Sequence, residues 1–526
     1  MRMLILLCCL LILFSCSNNN NNKSETVVTN ELLDLKRGDI ITCGPHEGEI
    51  FGSVLFKSSV PSSYQKDFNT AVALLHSFEY DEAEKMFAKV IDGSPDCAMA
   101  YWGVAMSNFH PLWAPPSPEE LQKGMKAVEI ARSIGNKTKR ESDYIEAIGQ
   151  FYEGTDSLDH RSRVLKFEKA MEDIYHNYPD DLEATVFYAL ALNAAADPKD
   201  KTYSRQKKAF DLLDPIFQKN PLHPGLAHYI IHNMDYPGLA ILALPAARKY
   251  ASIAPASAHA QHMPSHIFTR LGLWDECIKS NLVSVSSAQC YAEQAGIKGH
   301  WDEELHGMDY LVYSYLQEKK YDSAKMQLDY LRTINEVHPA NFKVAYAFAA
   351  IPARFALERK DWKMAAELPL QQGNFQWKDF PWQEAIVHFA RALGYVHLNN
   401  INAAEKELAE LQSLYGILKT LKNKAIEAAH VEVQIKAAEA WIELKKGNKQ
   451  EAKSLMMEAA DKEDALEKHP VTPGSVIPAR ELLGEMLLEL YENSQAIDAF
   501  ERDLKVNPNR ANALDELAIA KKNTGK

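Results

Sequence analysis

The sequence predicts an all-α chain folded as a helical-repeat superhelix, an α-solenoid, on three observations. From about residue 64 onward apolar residues recur at helical spacing, with few alternating β-branched runs. A short punctuation of one large residue followed by acidic and small residues returns along the chain. Prolines close several of the units it defines. The clearest unit runs from Phe68 to Pro95: a first helix ends near Tyr80, a turn leads into Asp81-Glu82-Ala83, and a second helix turns Phe87 and Val90 inward. The punctuation recurs at Trp274–Cys277, Tyr321–Ala324, Trp362–Ala365, Ile401–Ala404, Lys449–Ala452 and Gln495–Ala499; the segment 225–255 fits with Ala243 small and Pro255 closing. Between Asp96 and Pro221 the period is broken by the proline-rich stretch Pro111–Pro118 and by an insertion near Pro198–Thr202. Each unit exposes an apolar face until a neighbour covers it, so one continuous core is expected over 41–526.

These units resemble the tetratricopeptide repeat, a helix–turn–helix of 34 residues. By that resemblance the concave groove is lined by the second, fifth, ninth, twelfth and thirteenth positions of each first helix, and it takes a peptide or protein. Composition narrows the partners further. The 526 residues carry 58 Lys+Arg against 71 Asp+Glu, a net charge of −13. Nucleic acid is excluded as a partner on this balance, because phosphate binding needs concentrated positive charge.

The N-terminus sets the compartment. Met1-Arg2, an apolar run from Leu4 to Phe14 and then Ser15-Cys16 read as a secretory signal over 1–16. The run falls short of the roughly 20 residues that span a bilayer. Leu13-Phe14-Ser15-Cys16 resembles a bacterial lipobox, which implies lipidation of Cys16. Residues 17–40, starting with a polar low-complexity stretch, are expected to form a flexible tether. No acidic residue follows Cys16 directly, so the expected location is the cell envelope, lipid-anchored to the outer membrane and facing the periplasm. After the signal, Cys43, Cys97, Cys277 and Cys290 remain; one disulfide is compatible with this compartment, and sequence leaves its pairing open.

Histidines fall in register on the groove positions. Six of the 18 lie between His223 and His266, where even scatter would place about 1.5. One repeat presents His228, His232 and Asp235; the next presents His259, His262, His266 and Arg270; a third presents His306 and Asp309, and the His-rich centre extends over about 223–313. At about 100° per residue, His259, His262 and His266 share an arc of roughly 60°, as do His228, His232 and Asp235. Adjacent helices lie about 10 Å apart, so imidazoles projecting into the gap can converge on an ion. The expected ligands are His228, His232, His259, His262 and His266, with Asp235 as a further ligand or a partner that fixes an imidazole tautomer. Five imidazoles exceed the three or four that one ion takes, so either two ions share them or one or two rings act as acid and base. The ligand set suits zinc, copper or iron. His228-Tyr229-Ile230-Ile231-His232 lacks the glutamate that follows the first histidine in zinc proteases, which argues against a protease.

Further candidates are His76, at a groove position of the first repeat, and His110, where a loop leaves the next helix. Arg354 and Glu358 occupy groove positions and hold a substrate carboxylate or one another. Repeats after Trp382 read as scaffold and cap. Pro264 either bends its helix, re-aiming His259 and His262, or starts a new one. Leu74–Phe78, Ala98–Gly103, His110–Trp113 and His259-Ala260-Gln261-His262-Met263-Pro264-Ser265-His266-Ile267-Phe268-Thr269-Arg270 together look like a group of bacterial tetratricopeptide lipoproteins with a His-rich motif. Ser58-Ser59-Val60 departs from that pattern, which has a cysteine there. The function expected is a membrane-anchored solenoid with a transition-metal site in its groove, a metal-dependent hydrolase or oxidoreductase. The alternatives are a non-catalytic protein- or peptide-binding scaffold of the envelope, or metal storage or delivery.

Overall fold

The computed structural model describes residues 33–45, 50–112, 115–371, 375–466 and 468–525. The signal segment, Cys16, Trp113 and most of the tether lie outside them. The described chain is a tetratricopeptide-like α-solenoid of antiparallel helix pairs, each helix packed on its neighbours in sequence. Its one parallel strand pair among the described residues joins His300–Trp301 to Val337–His338.

The recurring punctuation has a backbone cause. Second helices begin at Tyr80, Ala240, Trp274, Tyr321, Trp362, Ile401, Lys449 and Asn493. Two residues before each start sits a left-handed residue: Phe78, Gly238, Gly272, Lys319, Lys360, Asn399, Gly447 and Tyr491. A left-handed residue at the end of the first helix turns the chain back on itself within three residues. In the first unit the first helix stops at His76, earlier than the expected end near Tyr80, because Phe78 takes the turn position. Helix pairs approach closely where side chains are absent: a Cβ on Gly394 would lie 2.3 Å from the Ala366 amide nitrogen.

The apolar interior gathers in three clusters, spanning roughly 33–310, 278–380 and 346–520, where one continuous core was expected. Buried polar side chains such as Asn281, Ser284, His306 and Asp309 sit on the helices where the first cluster gives way to the next. The end of the expected tether is not a tether. Leu33 and Leu35 are buried, and the Lys36 amide donates to Glu84, since apolar side chains there have a helical face to cover. The segment beyond it crosses the central repeats: Ser53 N donates to Leu222 O and Ala256 N to Ile50 O. A disulfide between Cys43 and Cys290 pins it, while Cys97 and Cys277 are free and buried.

The superhelix also returns on itself at its far end. Trp274 Nε1 donates to Asn509 O at 2.8 Å, and Arg510 Nη1 reaches Tyr313 OH at 2.9 Å. The segment 468–478, between the helices Lys449–Ala465 and Ala479–Glu489, lies over the central repeats. The late repeats therefore do more than cap the array.

A buried histidine centre

Four helices supply the centre. Pro224–Met234 carries His228 and His232 one turn apart. Ala258–His262 carries His259 and His262, Pro264–Leu271 carries His266 and Arg270, and Asp302–Gln317 carries Glu303, His306 and Tyr310. Pro264 has no amide hydrogen and opens its own helix, which is the position proline tolerates. Met263 stays in the right-handed region (φ −52°, ψ −36°) and donates to His259 O, so the chain divides into two helices without losing register. His262 and His266 thus remain one turn apart across the break.

The structure brings the histidines together as two triads. In the first, His228 Nε2 lies 3.2 Å from His259 Nε2 and 3.0 Å from His232 Nε2. In the second, His262 Nε2 lies 3.1 Å from His266 Nε2, and the His306 ring stands 4.2 Å from that of His262. Each triad offers one ligand atom per residue within 4.8 Å of the others. The two adjoin, with His232 and His266 ring centres 6.5 Å apart. His306, a secondary candidate on sequence, completes the second triad.

Proton positions follow from the partners. His228 Nδ1 faces the His76 carbonyl at 2.7 Å, which only accepts, so the proton is on Nδ1. His262 Nδ1 faces Asn281 Oδ1 at 2.7 Å, and Asn281 Nδ2 donates to Cys277 O, which fixes the amide orientation. His266 Nδ1 faces the Asp235 carboxylate at 3.1 Å and the Tyr310 hydroxyl at 3.3 Å; that hydroxyl donates to Val471 O. His262 and His266 therefore aim two Nε2 lone pairs at each other across 3.1 Å. Between tetrahedral ligands about 2.0–2.1 Å from an ion the N···N separation is roughly 3.3 Å, and in wider coordination it is about 2.9 Å. The rings are also held in the form a metal needs. Burial first, then neighbouring imidazoles, pushes His228, His232, His262 and His306 well below the usual imidazole range. Burial lowers His266 as well, against the opposing pull of Asp235.

Each triad is backed by a carboxylate paired with a lysine, and the lysine behind the first triad, Lys343, also pairs with Asp302. Asp235 binds His266, receives Arg270 Nε at 2.9 Å and receives Lys468 Nζ at 2.9 Å. Burial alone would raise its carboxyl, but Lys468 and Arg270 hold it well below the usual range. Asp235 therefore sits behind a ring rather than among the ligand atoms. Behind the first triad, Glu303 lies 3.9 Å from His259 Nδ1 and is ion-paired to Lys343. Burial opposes its ionisation, and Lys343 and His259 overcome that to hold it well below the ordinary glutamate value. Aromatic rings close the walls: Phe78 stands 4.4 Å from His228, Tyr250 stacks on it at 4.9 Å, and Tyr310 meets His262 at 4.7 Å.

His76 belongs to a third group. His76 Nε2 and His223 Nε2 reach the two oxygens of Glu183 at 2.8 and 3.0 Å, and His76 Nδ1 meets Tyr229 OH. A carboxylate flanked by two ring N–H groups is satisfied as it stands. Through its carbonyl, His76 carries this buttress to His228. Other candidates fall away from the triads. His110 pairs with Glu120 at 3.0 Å and lies against the Tyr80 ring. Asp309 is buried against Arg354, with burial raising its carboxyl to about 6. Arg354 and Glu358 do not hold one another: Arg354 also donates to Gly474 O, and Glu358 pairs with Arg510. Asn281, Glu183 and Lys468 went unnoticed in the sequence, because none has a local signal and each reaches the centre only through the fold.

No protein-family model matches the chain, and no curated protein matches it. Among solved structures, yeast Tom70 is 12% identical, with 87% of this chain and 88% of that one covered and a TM-score of 0.34. The human IFIT1 dimer with PPP-AAAA is 11% identical over 89% and 92%, at 0.36. The TPR domain of P58(IPK) is 12% identical over 88% and 99%, at 0.22. At such values the likeness is to helical-repeat architecture and nothing finer. Fold and centre together define a class: a tetratricopeptide-like α-solenoid with two triads of buried imidazoles.

Proposed function

We propose that this solenoid is a metal-dependent oxidoreductase built around a dinuclear transition-metal centre, with His228, His232 and His259 holding one ion and His262, His266 and His306 the other. The observation that carries this is the His262–His266 pair, whose two lone pairs face across 3.1 Å with both ring protons engaged elsewhere. A cation between them removes the repulsion.

The donor set favours copper. Six imidazoles with no carboxylate among the ligand atoms suit copper or zinc and disfavour magnesium, calcium and manganese; the common non-haem iron site adds a carboxylate. Asp235 is balanced by Lys468 and Arg270, and Glu303 shares Lys343 with Asp302, whose carboxyl burial pushes upward, so the pocket offers an incoming ion little compensating charge. A monovalent ion is therefore the least costly guest in so buried a place. Copper supplies one-electron redox chemistry and reaction with dioxygen. Asp235 and Glu303 would orient His266 and His259 and raise their basicity. Phe78, Tyr250 and Tyr310 would keep bulk water out.

The disulfide Cys43–Cys290 supports an oxidising compartment, in keeping with a lipid-anchored protein of the outer membrane facing the periplasm. No helix among the described residues is long and apolar enough to cross a membrane. The test is to load tag-free protein with Cu(I) under anaerobic conditions, admit dioxygen with a reductant and follow oxygen uptake. Uptake that disappears in a folded His262→Ala/His266→Ala variant is the expected result. Zinc retained in preference to copper would point to a hydrolase. Bound copper without oxygen uptake would point to a metal store, and a folded protein that takes no metal would leave a binding scaffold.

A further inference from the structure

Glu183 stands between His76 and His223, and hydrogen bonds satisfy both of its oxygens. Its charge is another matter. The carboxylates behind the two triads each have a lysine, whereas among the described residues the ion pairs of Glu183 are with the two imidazoles. Two residues earlier, Asp181 takes Arg140 for itself. We infer that His76, Glu183 and His223 form a third metal site, separate from the two triads, which holds one structural zinc ion.

Three helices bring the donors together. His76 ends Gln65–His76, Glu183 lies in the first turn of Leu182–Ala194, and His223 occupies the position before Pro224–Met234. All three side chains belong to residues no more than 2% exposed. One donor atom from each lies within 4.8 Å of the others. His76 Nε2 is 2.8 Å from one Glu183 oxygen, and His223 Nε2 is 3.0 Å from the other. Ligands about 2.1 Å from one ion and at right angles to each other stand roughly 3.0 Å apart, so both pairs already have the spacing of neighbouring ligands. Two nitrogens and a bidentate carboxylate make four donors. Four donors in a closed place are the mark of a structural zinc site rather than a catalytic one, which keeps a position open.

Both rings can turn Nε2 from hydrogen-bond donor to ligand without losing a partner. His76 Nδ1 faces the Tyr229 hydroxyl at 2.9 Å, and a hydroxyl either donates or accepts. His223 Nδ1 is buried with no hydrogen-bond partner, so it is unpaired in either tautomer and the exchange breaks no bond there. Each neutral ring keeps its one proton, moved from Nε2 to Nδ1, and the ion takes the place left at Nε2. The carboxylate among the donors also sets this site apart from the six-imidazole centre, since it favours a dication over monovalent copper. The His76 carbonyl meets His228 Nδ1 at 2.7 Å, so an ion on the His76 ring would steady the first triad from behind.

The test fills the triads first. Tag-free full chain is loaded with Cu(I), desalted, given Zn(II), desalted again and counted for both metals by mass spectrometry. One zinc per chain is expected beyond the copper. Glu183→Gln, which keeps the shape, and His223→Gln, which keeps a donor toward Glu183, should each lose that zinc. Copper counted in the same samples separates loss at this site from loss at the triads. Co(II) given to the copper-loaded wild type should produce the visible bands of a four-coordinate ion, a readout that needs no variant. If the chain takes no copper, zinc is titrated directly, and the wild type should exceed Glu183→Gln by one ion. Equal zinc in the wild type and a folded Glu183→Gln, or no retained zinc and no cobalt bands, would overturn the inference. Copper on the triads with no zinc difference would remove this site and leave the centre; a zinc difference in a chain that takes no copper would keep this site and remove the copper reading.

Discussion

Replacing Asp235 by asparagine tests how the second triad is held. The carboxylate accepts from His266 Nδ1 at 3.1 Å and neutralises Arg270 and Lys468, each at 2.9 Å, in a nearly sealed position. Asparagine keeps the shape and removes the charge. Loss of such a partner behind a metal-bound imidazole weakens affinity about 10–100-fold, or roughly 1.4–2.7 kcal/mol. Two buried cations are also left facing a neutral amide, and breaking a buried pair in this way costs about 3–5 kcal/mol of stability. Glu303 backs the first triad independently, so only one of two ions should become labile. Chelator competition followed by elemental analysis reads this directly: Asp235→Asn should release one ion early and keep the other at wild-type affinity. Two ions held as tightly as in the wild type, with an unchanged denaturation midpoint, would refute the role given to Asp235.

Three further outcomes follow from the packing. Gly225→Ala places a Cβ 2.7 Å from His76 Nδ1 and 3.0 Å from a Val186 methyl, so His76 must move and His228 loses its anchor; about 1–3 kcal/mol of stability and part of the first-triad affinity should go, as urea melts and metal titration would register. His397, stacked on Trp362, is pushed down by burial to about 3, against an ordinary value near 6.5. A depressed histidine gives stability that is complete above about pH 6.5 and is lost as pH falls from there toward 3, by about 1–2 kcal/mol at pH 5. His397→Phe keeps the stack and cannot titrate, so its advantage over the wild type in urea melts should grow between pH 7 and pH 5; a constant difference would contradict the burial argument. Cys290→Ser opens a loop closed across 247 residues, and the chain-entropy model assigns such a closure about 5 kcal/mol at most. Limited proteolysis should then cut within 33–60, and an unchanged digestion pattern would show that this segment is held without the disulfide.

Much of the architecture was legible because tetratricopeptide-like turns need a left-handed residue and a helix start in fixed order. Trp274, Tyr321, Trp362, Ile401 and Lys449 mark second helices directly. Between Asp96 and Pro221 the six helices are present, from Ala98–Ser107 to Ser204–Phe217, but long connections hide their period. The groove histidines were legible through helical spacing, which places His228 with His232 and His262 with His266. Their division into two sets was not. It depends on the helix break at Met263-Pro264 and on His306 arriving from a third helix. The supporting shell was less legible still: Lys468 comes from 233 residues beyond Asp235, and Asn281 faces His262 across a helix interface. Reading the repeats after Trp382 as scaffold alone failed for this reason, since the superhelix returns the 468–478 segment to the centre.

Everything functional turns on imidazole nitrogens that face one another with their lone pairs unprotonated. The most direct measurement is copper counted per chain by mass spectrometry in tag-free protein and in two folded double variants, His228→Ala/His232→Ala and His262→Ala/His266→Ala. Two ions in the wild type and one in each variant is the predicted result. A wild type that stays folded with fewer than about 0.2 ions per chain, or full occupancy in either variant, would contradict it.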